Sequence, residues 1–207
     1  MKTERTLAVV VGSAPVLMTA ALLWHPPIPG RLPDTAAIAD HVAHDPTRWG
    51  LAHVAAAVAS AVLILAFVAI RARLREAGDQ RLSAAGLGLV VVAGTAYAML
   101  AGMEFAALAA HEIGADPSAA QSVINPWFVA VLMTGGLSFA LGMLGFAAAI
   151  RRTAVLGSRL TAVVVVAFVV LAVSRSVPIG VVQFGVQSAA ALMALVPIAW
   201  AMWTARM

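Results

Sequence analysis

Long apolar stretches separated by short polar connections run from one end of this 207-residue sequence to the other. A helix needs about 20 apolar residues to cross about 30 Å of hydrocarbon at about 1.5 Å per residue, and six stretches approach or exceed that length. Residues 163–173 are continuously apolar, whereas membrane β-strands alternate apolar and polar positions. The pattern predicts an all-α, polytopic transmembrane bundle of six helices in a single domain over residues 1–207, with approximate spans 6–24, 51–70, 83–110, 126–150, 154–174 and 178–203.

Acid–proline pairs and similar signals mark several predicted helix starts. Asp45-Pro46 places an N-cap acid before a proline at the first helical position, so the second spanning helix should begin near Pro46. Asn125-Pro126 repeats the pattern for the fourth spanning helix, and Asp116-Pro117 predicts a short surface helix before it. Residues Thr35 to His44, capped by Asp34, form a further short helix, which we expect to lie on the outer interface between the first two spans.

Composition and charge fit this topology: 62% of the residues are hydrophobic and 11% are charged, far from the balance of soluble domains. Basic residues favour the cytoplasmic side of a membrane, and the predicted connections divide them unequally. Both termini are therefore predicted to be cytoplasmic, and the high isoelectric point reflects topology, with no nucleic-acid partner. Ten basic residues lie on the inner side, namely Lys2, Arg5, Arg71, Arg73, Arg75, Arg81, Arg151, Arg152, Arg159 and Arg206, and three on the outer side, namely Arg31, Arg48 and Arg175.

Small residues recur at helical spacing in the predicted third spanning helix. The ladder Gly94, Ala98, Gly102, Ala106 and Ala110 repeats every four residues, and small residues let helix backbones approach each other in lipid. We expect this helix to be central and closely packed. The fourth spanning helix carries a second small face. It is built from Gly135, Ser138 and Gly142.

Polar residues near the outer ends of the predicted helices form a candidate ligand pocket. Glu104 lies about 32 Å along its helix from Ser83, near the outer hydrocarbon boundary. Tyr97, seven residues before Glu104, and His111, seven residues after it, lie on nearly the same side of that helix. Polar groups near lipid are costly unless they face a cavity or one another, and a purely structural role in linking helices is the competing interpretation. The candidate ligand-binding residues are Glu104, His53, His111, Tyr97, Gln183, Gln187 and Arg175, with Glu104 and Arg175 as a hypothetical ion pair.

Imidazole and carboxylate groups on the same side also raise a metal hypothesis, because together they suit zinc, copper or iron. The spacing matches no diagnostic motif, and solvated surface histidines are the alternative. The second histidine of a zinc-protease helix is missing, since Ala115 stands in its place. The sequence shows no haem or nucleotide signature and contains no cysteine; the cofactor is unknown, and a divalent metal is the class that these residues suggest. The candidate metal ligands are Asp40, His41, His44, His53 and His111.

The order of several short motifs resembles that of an uncharacterised family of small six-span bacterial integral membrane proteins. These motifs are His25-Pro26 after the first span, Trp49 and His53 at the start of the second, Arg71-Ala72-Arg73-Leu74-Arg75 at its exit, Gly135-Gly136, Leu141-Gly142 and Arg151-Arg152. The resemblance implies an α-helical inner-membrane protein and brings no activity, catalytic residue or cofactor with it. The use of one lysine against twelve arginines, with abundant alanine and valine, also suggests a GC-rich bacterium and hence the bacterial cytoplasmic membrane.

Three functions are compatible with these features. The first is binding or transport of a small ligand, lipid headgroup or cation through a polar pocket on the extracytoplasmic face. The second is a membrane-embedded enzyme that uses Glu104 with His53 or His111, with or without a metal. The third is a non-catalytic accessory subunit that packs through its small-residue faces. Membrane lipids are the expected partners in each case, and a second copy or a membrane complex is expected in the third.

Overall fold

The computed structural model describes residues 2–28, 30 and 33–204. Within these ranges the protein is all-helical and has no β-strand. Outside the described residues lie Met1, Pro29, Arg31, Leu32 and residues 205–207. The predictions made for Arg31 and Arg206 therefore fall outside them too. The helices are α1 (Lys2–Trp24), α2 (Thr35–His44), α3 (Pro46–Glu76), α4 (Leu82–Met103), α5 (Phe105–Glu112), α6 (Pro117–Thr153), α7 (Ser158–Ser174) and α8 (Gly180–Thr204).

The long helices form a closed ring. Helix α1 packs against α3, α3 against α4, α4 against α6, α6 against α7 and α7 against α8, and α8 returns to α1. Helices α4 and α5 follow each other with a break at Glu104, and together they form one rod, residues 82–112. The short helix α2 lies beside α3, α5 and α6 at one end of the ring.

Five helices are long and apolar enough to cross a membrane. They are Glu4–Trp24, Pro46–Glu76, Leu82–Glu112, Pro117–Thr153 and Gly180–Thr204. Helix α7 is apolar but has 17 residues, at the lower limit of length for a crossing. These helices indicate a multi-pass membrane protein, as the sequence pattern predicted.

Most predicted helix starts are confirmed by their caps. The Asp45 side chain accepts a hydrogen bond from the backbone N–H of Arg48 at 2.9 Å, and α3 begins at Pro46. Asp34 caps α2 in the same way, with a 3.0 Å bond from the backbone N–H of Ala37. Asp116 caps α6 through the backbone N–H of Ser118 at 2.8 Å.

The predicted start of the fourth spanning helix at Asn125-Pro126 is wrong, because α6 runs without interruption from Pro117 to Thr153. A proline inside a helix leaves the carbonyl four residues earlier without its N–H partner. Here that carbonyl belongs to Ser122, which is exposed, as is Pro126 itself. Water or lipid headgroups can satisfy an exposed carbonyl, so the proline does not end the helix.

The two ends of the ring differ in composition, and we name them for it. The arginine end contains the α3–α4 and α6–α7 turns, the start of α1 and the end of α8. The Arg5 guanidinium lies 5.3 Å from the Trp203 ring centroid at this end. The histidine end contains the α1–α3 connection, the α5–α6 turn and the α7–α8 turn. All five histidines of the sequence fall in segments that meet at the histidine end.

Aromatic side chains fill the ring between its middle and the arginine end. The Phe67 ring centroid lies 4.6 Å from that of Phe146 and 6.0 Å from that of Phe168. All three rings are fully buried. This half of the bundle therefore has a packed apolar core.

Small residues bring helices together, though not through the predicted ladder as a whole. A Cβ on Gly94 would lie 2.6 Å from the Ile64 side chain, whereas one on Gly102 would meet nothing within 4 Å. Four residues turn an α-helix about 40° more than one full turn, so a ladder of that period drifts around the helix. The close contact between α4 and α6 instead uses Gly86, Gly142 and Gly145.

Candidate functional site

Two histidines from different helices meet at the histidine end. His25 follows the last residue of α1, and its backbone N–H donates to the Ala21 carbonyl at 3.0 Å. The Arg48 guanidinium donates two hydrogen bonds to the Trp24 carbonyl, at 3.2 and 3.0 Å, and so ties the end of α1 to the first turn of α3. His53 lies two turns into α3 and is buried. The Nε2 atoms of His25 and His53 are 3.3 Å apart.

A backbone carbonyl orients each of these two rings. Nδ1 of His25 donates to the Pro26 carbonyl at 2.8 Å, and Nδ1 of His53 donates to the Trp49 carbonyl at 2.7 Å. Burial lowers the pKa of His25, and the hydrogen bond to Pro26 opposes that effect. His25 is therefore neutral at pH 7.

Aromatic rings surround the histidine pair. The Trp49 ring lies 4.5 Å from the His53 ring and 5.6 Å from the His25 ring, measured between centroids. Phe184 packs edge-on against His25 at 5.5 Å, and Phe105 against His53 at 6.3 Å. These contacts fix the orientation of both imidazoles and shield them from water.

Glu104 lies at the break between α4 and α5. Its backbone carbonyl accepts a hydrogen bond from Nε1 of Trp49 at 3.2 Å. Its side chain is 8% exposed, and its Oε2 atom has no hydrogen-bond partner in the part of the chain that the structure describes. Glu104 and Arg175 form no ion pair, so the hypothetical link between them is not made.

Arg175 instead lies among neutral groups. It follows α7, its Nε donates to the Tyr97 hydroxyl, and its guanidinium carbon lies 3.4 Å from the centre of the Tyr97 ring. With both side-chain amides oriented so that their oxygens face the guanidinium, the amide oxygen of Gln187 accepts from Nε and Nη1 at 3.1 and 3.2 Å, and that of Gln183 accepts from Nη1 at 3.3 Å. We name Arg175, Tyr97, Gln183 and Gln187 the arginine box. Despite its name, it lies toward the histidine end of the ring, because Arg175 is in the α7–α8 turn. All four belong to the predicted set of seven ligand-binding residues, and the structure brings these four together.

Within the part of the chain that the structure describes, the arginine box holds a cation without a counter-ion. Burial lowers the pKa of Arg175 to about 9, so the guanidinium remains protonated at neutral pH. Its hydrogen-bond acceptors within the described residues are a hydroxyl and two amides, all uncharged.

The remaining predicted ligands do not join one cluster. Asp40 and His44 are exposed, His111 is half-buried in the last turn of α5, and Nε2 of His41 lies 2.6 Å from the Pro27 carbonyl oxygen. No group of three or more His, Cys, Asp or Glu side chains that could hold a metal ion occurs in residues 2–28, 30 and 33–204. The structure thus separates His53 from the other four residues of the predicted metal set and pairs it with His25.

Sequence reasoning missed three residues of this region. His25 directly follows the first predicted span and was not among the candidate ligands, and Phe184 lies between the two glutamines without any polar signal. Gln121, in the segment predicted as a surface helix, is completely buried, and neither of its amide atoms has a partner within the described chain. No pattern in the sequence distinguishes Gln121 from an exposed glutamine.

Comparisons of this chain with protein-family models, with curated proteins and with solved structures find no match. The fold and the buried polar groups therefore define a class, an all-helical membrane protein, and no particular family. The resemblance to the uncharacterised six-span family stays a prediction.

Proposed function

We propose that this protein is a six-span bacterial inner-membrane protein with both termini in the cytoplasm and the histidine end outside. The sixth crossing is α7, and its place between α6 and α8 in the ring supports that assignment. The orientation rests on the excess of basic residues at the arginine end, since these residues are retained on the cytoplasmic side.

Within that frame, we infer a binding or transport function for the arginine box. Its ligand carries an anionic phosphate group, supplied either by a lipid headgroup or by a small soluble molecule. The single observation that carries this inference is a half-buried guanidinium held only by neutral acceptors among the described residues. Charged groups that leave water are normally paired with an opposite charge, and arginine is well suited to phosphate because its planar fork donates two parallel hydrogen bonds.

The geometry gives less support to the two other functions. For an enzyme, Glu104 would have to exchange a proton with His53 or His111, yet the Nδ1 atom of His53 is taken by a carbonyl and its Nε2 faces His25. For an accessory subunit, Gly102 would pack against another chain; it faces open space within this chain, which leaves that face free but shows no partner. A partner helix at Gly102 remains a prediction with no contact in its favour.

Ligand-dependent thermal stability tests the arginine box. We would reconstitute the full chain in phosphatidylcholine nanodiscs and measure the melting temperature with inorganic phosphate, and separately with phosphatidylglycerol in the bilayer. A ligand at 100 times its Kd stabilises the folded state by about 2.7 kcal/mol. We expect one of these additions to raise the melting temperature of the parent and of Arg159→Gln, an exposed arginine at the arginine end. Arg175→Gln should lose that increase.

The two arms separate the sources of phosphate, because a response to phosphatidylglycerol alone identifies a lipid headgroup. An Arg175→Gln variant that responds as strongly as the parent would overturn the proposal. So would a parent that responds to neither phosphate source. Tyr97→Phe, which removes the hydroxyl acceptor and keeps the ring, should weaken the response without abolishing it.

A further inference from the structure

The histidine pair cannot be a simple hydrogen bond between neutral rings. A carbonyl oxygen only accepts hydrogen bonds, so Nδ1 carries the proton in both His25 and His53. Each neutral imidazole then presents an unprotonated Nε2, and the two lone pairs face each other across 3.3 Å. A cation between the two nitrogens, either a metal ion or a shared proton, is needed to make this arrangement favourable.

The distance between the two Nε2 atoms distinguishes a metal ion from a shared proton. Zinc–imidazole bonds are about 2.0–2.1 Å long, so two imidazoles on one tetrahedral ion have their nitrogens about 3.3–3.4 Å apart. Hydrogen bonds from nitrogen donors have donor–acceptor distances of about 2.7–3.2 Å, and those with an ionised partner are at the short end of that range. The observed 3.3 Å matches the metal geometry better.

The surroundings of the pair also match those of metal ligands. A histidine that binds a metal usually donates its other ring N–H to a carbonyl or carboxylate, which fixes its tautomer and orientation. Both rings do this here, through the carbonyls of Pro26 and Trp49.

We propose that His25 and His53 bind one divalent transition-metal ion through their Nε2 atoms. Imidazole ligands favour zinc, copper, nickel or cobalt over magnesium or calcium. No third protein ligand completes the group within the described residues, so the other coordination positions belong to water or to an added ligand, as in open metal sites. This site is separate from the arginine box and does not depend on the function proposed for it.

Zinc titration of the full chain tests the site. In phosphatidylcholine nanodiscs, freed of metal by a chelator, isothermal titration calorimetry should show one Zn²⁺ bound per chain. His25→Ala and His53→Ala should each lower the affinity at least about tenfold, the size of effect found when the support of a metal site is disturbed. The matched controls are His44→Ala and His111→Ala, which belong to the predicted metal set and make no hydrogen bond or ring contact with His25 or His53 in the described part of the chain. They should bind zinc as the parent does.

X-ray absorption of the zinc-loaded parent adds a measurement that needs no variant. It should show two imidazole nitrogens at about 2.0–2.1 Å from the metal. The proposal is overturned if zinc, copper and cobalt all fail to bind, if the bound metal lacks imidazole ligands, or if affinity falls in the controls as much as in the pair variants. A pair that takes up one proton and no metal would overturn it in favour of a shared proton.

Discussion

The arginine end and the histidine end of the ring both bury polar side chains, but only the histidine end places two imidazole nitrogens face to face and holds a guanidinium among neutral acceptors within the described residues. At the arginine end, buried Asp79 accepts a hydrogen bond from the backbone N–H of Ser83 at 2.8 Å, and Phe67 and Phe146 pack deeper in the same half. At the histidine end, no charge among residues 2–28, 30 and 33–204 balances the two facing Nε2 atoms or the Arg175 guanidinium. The comparison suggests that one end stabilises the bundle and the other retains binding capacity.

Removing one buried aromatic ring from the core should have the largest effect on stability. Phe146→Ala removes a fully buried ring that packs against Phe67, and such truncations cost about 3–5 kcal/mol in the free energy of unfolding. Denaturant titration in mild detergent measures the loss. Because the ring lies away from the histidine end, zinc and phosphate affinity should stay within about twofold of the parent while the chain is folded. A selective loss of binding at full folding would break the distinction between the two ends.

Crowding the contact between α4 and α6 should have an intermediate effect. A Cβ on Gly142 would lie 3.0 Å from the Val90 side chain and 3.2 Å from the Gly86 carbonyl, so Gly142→Leu should destabilise by about 1–3 kcal/mol. Gly136→Leu on the same helix is the matched control, because a Cβ there meets nothing within 4 Å. Equal melting temperatures for the two variants would show that α4 and α6 are not in close contact.

Acidification should weaken the two ends in different pH ranges. The pKa of His25 is lowered from 6.5, so the unfolded state binds its proton first and stability falls as the pH drops below about 6.5. For Asp79, burial alone would raise the pKa, but hydrogen bonds from Ser83 and the charge of Arg152 lower it from 3.8, and stability falls below about that pH. Each group contributes at most about 1.4 kcal/mol per pH unit.

Thermal melts in chelator-containing buffer from pH 7.5 to 5.5 isolate the histidine contribution. The parent should melt at lower temperature as the pH falls, and His25→Gln should show a shallower dependence. His41 and Arg48 also repel a proton on His25 and so add to the pH dependence of the parent. The slope that remains in His25→Gln reports the other titrating groups. A His25→Gln variant with the same pH slope as the parent would contradict a buried neutral His25.

The sequence predicted the helices well because crossing lipid imposes a length and an apolar composition that are visible residue by residue. Asp45 and Asp34 marked true helix starts, since a cap is a local interaction between neighbours along the chain. Asn125-Pro126 misled the prediction because whether a proline ends a helix depends on the exposure of a carbonyl, which the sequence does not display. Gly102 misled it because the face that a residue presents depends on how the helices are rotated.

The arginine box was predictable in membership, because Tyr97, Gln183, Gln187 and Arg175 are polar residues placed near the ends of apolar helices. The histidine pair was not. Its two members are 28 residues apart and meet through the tie between Arg48 and the end of α1. That contact is a tertiary one, so no periodicity or spacing could have signalled it.

The proposed function places the histidine end and the arginine end on opposite sides of the membrane, and cysteine accessibility measures this most directly. The chain contains no cysteine, so single cysteines can be introduced at two exposed turns, Ala115→Cys at the histidine end and Gln80→Cys at the arginine end. In intact bacterial cells, a membrane-impermeant maleimide should label Ala115→Cys at once and Gln80→Cys only after permeabilisation. Labelling of both positions from outside, or of Gln80→Cys alone, would contradict the account.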